Sequence, residues 1–127
     1  MLIDAVFAGK LPVLDLAQAK LASEGLDAGV MLGAVLRHAL ALLKARQGMD
    51  AGRSARDMVA AMRLPYPRIA TTEAALSAWS TAKLMEAVTL LGNATLAARR
   101  DGDLGRAGAT RALWTLARLG RSAGRGE

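Results

Sequence analysis

The feature that most constrains this 127-residue chain is its punctuation: apolar residues recur every three or four positions in runs that glycine or proline interrupts at intervals. That period belongs to amphipathic helices, and no stretch alternates apolar and polar residues for long enough to make a strand. Leu2, Ile3, Val6 and Phe7 share one helical face, and Gly9 with Pro12 ends that helix and lets another start near Leu11. The second helix, Leu11 to Glu24, aligns Leu14, Ala17, Gln18 and Leu21 and stops at Gly25, a residue suited to a left-handed cap. Asp27 opens a third, apolar at Val30, Met31, Val35, Leu36, Leu40 and Leu43, with Arg37 and Lys44 on its wetter side.

Lys44 and Arg46 ahead of Gly48 place cations at the negative end of the helix dipole, so the third helix is expected to stop there. Gly48 to Arg53 then forms a loop, and Ser54 through Asp57 resembles a capping box for a helix running to Met62. Pro65 and Pro67 forbid continuation, which makes Leu64 to Ala70 an extended or irregular connector. Thr71 or Thr72 caps the longest expected helix, one segment to about Arg100 through Leu76, Trp79, Leu84, Val88, Leu91 and Ala98. Arg99, Arg100 and Gly102 end it. A last helix spans about Leu104 to Leu119, and 120–127, rich in Gly, Arg and Ser, is expected to be a disordered tail. The expected fold is therefore an all-α bundle of five to six helices in one domain, 1–119. Off-stripe apolar residues at Met85, Leu90 and Leu96 predict that the long helix touches more than one neighbour.

Composition excludes several functions. With no cysteine there is neither a disulfide framework nor a thiolate metal site. The uncharged apolar stretches Ala28 to Leu36 and Ala87 to Ala98 are shorter than the roughly 18 residues of a membrane span. The segment Met1 to Lys10 lacks a basic leader followed by a long apolar run, so a cytoplasmic protein is expected. The single histidine, His38, has no second histidine with which to share a metal and fits a packed or interface residue better than a catalytic one. No phosphate-binding loop or dinucleotide fingerprint is present, and the 11 carboxylates form no pair suited to acid–base work. No catalytic residue, metal, cofactor or small-molecule substrate is expected. The net charge of +6 is uneven: residues 99–127 hold 7 basic and 3 acidic residues, against 10 and 8 in 1–98. A basic end of this kind attracts phosphates, which keeps a small nucleic-acid-binding helical protein as the alternative.

Two stretches carry a family resemblance. Val35-Leu36-Arg37-His38-Ala39-Leu40 through Arg46 looks like the Leu-Arg-His helix of one domain, and Leu64-Pro65-Tyr66-Pro67 followed by Leu76-Ser77-Ala78-Trp79-Ser80, Leu84, Ala87, Leu91 and Ala97 looks like its proline connector and Trp-Ser helix. In this order and spacing the chain resembles, over about Val30 to Ala117, the C-terminal collar domain of the delta subunit of the bacterial DNA polymerase III clamp loader. It departs after Pro67, where that family places aromatic and basic residues and this chain has Ile69, Ala70, Thr71 and Thr72. The resemblance implies an oligomerisation module that joins the gamma/tau and delta prime subunits through the collar and helps to place the sliding clamp on primed DNA in replication. It implies a piece of a larger subunit, without catalytic activity of its own although the parent complex resembles a DNA polymerase holoenzyme. Arg37, His38, Trp79 and Lys83 become candidate interface residues, Trp79 serving first to hold the domain together. Arg99, Arg100 and Arg106 become candidates for proximity to DNA.

Overall fold

The computed structural model describes residues 2–101 and 103–124, and every regular element among them is helical. Seven α-helices follow in order: α1 Leu2–Ala8, α2 Leu11–Ser23, α3 Ala28–Asp50, α4 Ala55–Met62, α5 Ile69–Ala78, α6 Thr81–Asp101 and α7 Asp103–Gly124, with a 3-10 turn at Tyr66–Arg68 before α5. The class is the all-α bundle expected from the periodicity, with one helix more than the upper expectation.

The extra helix arises at Trp79. The single segment expected from residue 71 to 100 is two helices, α5 and α6, because Trp79 leaves helical geometry at φ −87°, ψ 123°. Ser80 then restarts the helix, its Oγ accepting from the Lys83 backbone N–H at 3.1 Å in the manner of an N-cap. The break lets the indole turn into the interior, where Trp79 has no exposed surface. The expected capping threonine is also corrected: α5 begins at Ile69 straight from the 3-10 turn, and Thr72 lies buried within it.

Glycine explains a second boundary. The third helix does not stop before Gly48 but runs on to Asp50, and Gly48 inside it lies against the Met58 thioether of α4. Gly52, at φ +104°, is the true terminator. Its N–H reaches the Met49 carbonyl at 2.9 Å and the Arg53 N–H reaches that of Gly48 at 3.0 Å, the paired bonds of a Schellman ending. The Asp27 and Ser54 caps form as expected, accepting from Val30 and Asp57 N–H at 3.2 and 3.0 Å.

The end of α3 meets the start of α6, where Thr81 Oγ1 donates to Asp50, and the Arg46 guanidinium donates to the Leu76 carbonyl at 2.8 Å. The turn before α3 meets the start of α7, where Arg106 donates to the Leu26 carbonyl at 3.4 Å. Since α7 follows α6 directly, α3 and α6 are antiparallel and α7 returns beside α6. Their shared interior is Leu32, Val35, Leu42, Leu84, Leu91, Leu113 and Leu116, all without exposed surface. Helix α3 is long and apolar enough to cross a membrane by length and composition, but its apolar face is taken up by α6, α4 and α7, as in a core helix of a bundle.

The last helix continues to Gly124, past Leu119, where the tail was expected to begin. Gly120 makes this possible: a Cβ there would lie 3.0 and 3.1 Å from the Val6 and Phe7 carbonyl oxygens and 3.2 Å from the Trp79 ring. The absence of a side chain there eases the close passage of α7 across α1. Residues 125–127 of the expected tail lie outside the described residues.

Candidate assembly surface

Two of the four expected interface residues belong to the interior. Phe7 stands between His38 and Trp79, its ring centroid 5.5 Å from the imidazole and 5.3 Å from the indole, the latter edge-to-face. Trp79 Nε1 donates to the Phe7 carbonyl at 2.9 Å, so the indole satisfies a carbonyl at the end of α1 that has no partner within that helix. As contacts for another subunit Trp79 and His38 are therefore corrected: Trp79 is fully covered and His38 is 9% exposed. The structural task expected first of Trp79 is the one it performs.

Burial is the main reason the His38 imidazole is held down from 6.5 to about 4, and the nearby Arg68 guanidinium adds to the effect while Asp4 opposes it. Arg68 and Asp4 form a two-point ion pair, Nε to Oδ2 at 3.0 Å and Nη2 to Oδ1 at 3.1 Å, which closes the connector onto α1. His38, Arg37 and Arg68 share a groove of about 390 Å³ with Ile3, Met62 and Leu64. At neutral pH His38 is an uncharged packing residue there. Among the described residues no three of His, Asp and Glu gather closely enough to hold a metal ion.

The other two expected contacts reach the surface. Arg37 is exposed on α3, and Lys83 is half-buried on the first turn of α6. A different side of α6 carries a surface that the expected contacts passed over. Met85, Thr89, Gly92 and Leu96 are all exposed along one line of α6, with Ala82 and Arg99 extending it at either end. The spacing of 4, 3 and 4 residues is that of the seam between two packed helices. Met85 and Leu96 are each 55% exposed, and Leu40 on the adjacent α3 is 47% exposed. A Cβ at Gly92 would meet nothing within 4 Å, so another backbone can approach closely there. The clue in the sequence was the off-stripe apolar character of Met85 and Leu96. Leu90, grouped with them, is half-buried instead.

A second apolar hollow of about 340 Å³ lies between α1, α2 and α3, lined by Leu2, Ile3, Leu21, Leu26, Val30 and Met31. Of the candidates for DNA proximity, Arg99 and Arg100 are exposed at the end of α6, and Arg106, also exposed, is tied by one nitrogen to the Leu26 carbonyl. Arg99 and Arg100 thus lie at the far end of α6 from Trp79, and all three arginines are exposed where His38 and Trp79 are buried. Comparison of the chain with family models, with curated proteins and with solved structures finds no match.

Proposed function

We propose that this chain is a helical assembly module, the collar of a clamp-loader delta subunit, which joins sister subunits through helix-to-helix contacts. The observation that carries the proposal is the exposed line Met85-Thr89-Gly92-Leu96 on α6. Large apolar side chains in line at helical spacing form the centre of the apolar interfaces that hold permanent assemblies together. The two stretches that resemble the clamp-loader family support the choice of partner: one is α3, and the other spans the connector, α5 and α6, so the seam lies within the resembling region. Together they favour gamma/tau and delta prime subunits as neighbours, and with them a cytoplasmic role in replication.

Native mass spectrometry of the chain mixed with folded clamp-loader subunits tests this reading. The expected result is a complex containing the chain, lost in M85E/L96E while helicity and thermal midpoint stay unchanged, because both side chains are exposed. A chain that remains monomeric with every subunit folded, or a double variant that assembles normally, overturns it.

A further inference from the structure

Beyond assembly, the outer face of α7 has chemistry of its own. From residue 104 to 126 the chain has no carboxylate, while α7 carries Arg106, Arg111, Arg118 and Arg121. At 100° per residue Arg111, Trp114, Arg118 and Arg121 fall within one sector of roughly 80°, opposite the buried Ala109, Leu113, Leu116 and Gly120. All three of these arginines are exposed. They occupy about 15 Å of helix at 1.5 Å per residue.

The stripe is partly preorganised. The Arg118 guanidinium lies 5.5 Å from the Trp114 ring centroid, over its face. Trp114 is itself fixed, since its Nε1 donates to Asp15 Oδ1 at 2.7 Å. Asp15 is an exposed carboxylate at the stripe's edge and keeps its negative charge in that bond, so the three arginines outnumber it. Arg121 is anchored through its backbone, which passes so close to Gly9 that a Cβ there would collide with it. On the other side Arg111 stands at the rim of a hollow of about 480 Å³ between α6 and α7, with Asn93, Ala97 and Gly108 giving it low walls.

We infer that this face of α7 binds the phosphodiester backbone of nucleic acid. A row of guanidinium groups on a rigid helix matches a polyanion whose charges repeat along an axis, and arginine's planar fork suits phosphate oxygens. Duplex DNA places a phosphate every 3.4 Å along each strand, so about four steps of one strand run past the three arginines. The contacts carry no base recognition, so binding is independent of sequence.

The full chain is titrated into a labelled DNA duplex of about 20 base pairs, followed by fluorescence anisotropy between about 50 and 200 mM salt. Three phosphate contacts give a log–log slope of about −3, at roughly 0.9 per contact. R111Q/R118Q, which keeps much of each side-chain stem, is expected to bring the slope to about −1 and to weaken binding more than tenfold at the lowest salt. R53Q/R56Q removes the same charge from exposed positions at and before α4, and leaves binding within about twofold. Equal loss in both double variants, a slope that R111Q/R118Q does not change, undetectable binding at low salt, or equally tight binding of a poly-glutamate of matched charge each overturns the inference. Circular dichroism of both variants confirms that the helices are retained.

Discussion

The Trp79 indole N–H donates to the Phe7 carbonyl oxygen at 2.9 Å, joining residues 72 positions apart. The bond ties the end of α1 to the break between α5 and α6, and Gly120 of α7 passes close to both partners. Four of the seven helices meet at a side chain that the sequence places within a continuous helical pattern.

Replacing Trp79 with Phe removes the donor and leaves the Phe7 carbonyl buried without it. A loss of about 2–3 kcal/mol is expected, from the unmet acceptor and the missing ring volume. Trp79→Ala is expected to cost about 3–5 kcal/mol. Urea denaturation monitored by helical circular dichroism measures both, and a Phe variant as stable as the parent would contradict this account of the bond.

His38 makes stability depend on acid. Its pKa is about 4 in the folded chain against 6.5 when unfolded, so the unfolded chain takes up the proton first. The stabilisation associated with this residue is intact above pH 6.5 and declines as the pH falls toward 4, by as much as about 3 kcal/mol. His38→Gln is expected to flatten the fall in urea midpoint across that window relative to the parent. Parallel curves for the two proteins would exclude His38 as its source.

Two glycines in neighbouring helices are expected to respond in opposite directions to the same methyl group. Gly120→Ala sets a Cβ against the Val6 and Phe7 carbonyls and the Trp79 ring, costing about 1–3 kcal/mol. Gly92→Ala meets nothing within 4 Å and replaces a flexible residue inside α6, which stabilises by up to about 1 kcal/mol. Thermal midpoints moving the same way in both variants would contradict the packing described for one of them.

Ser80→Ala removes the side-chain acceptor for the Lys83 N–H at the start of α6. A loss of about 1 kcal/mol is expected, the ordinary value for an N-cap, and Ser80→Asp should recover most of it. Equal stability of Ser80→Ala and the parent would show that α6 starts without this cap.

Local chemistry made most helix ends legible. Asp27 and Ser54 cap as their types and positions require, and Gly9 and Gly25 turn left-handed where their runs of apolar residues stop. The exposed line on α6 was legible in outline, since Met85 and Leu96 fall off the buried stripe. In the sequence Trp79 reads first as a core residue and His38 as packed or at an interface, but neither side chain's neighbours are legible, because apolar spacing fixes a face and not what covers it.

Backbone hydrogen bonding and hydrophobic period act between residues three or four apart, so the sequence alone determined that this protein is helical, in one bundle, with ends at capping residues. Where a helix bends or stops for the sake of a distant partner, only the tertiary structure decided it. Gly48 lies inside α3 against the Met58 thioether, and at Gly120 α7 passes close to two carbonyls and an indole. Trp79, at the break between two helices, donates its indole N–H to a carbonyl 72 residues earlier. Those relationships depend on distances in space, and a linear pattern of residue types does not contain them.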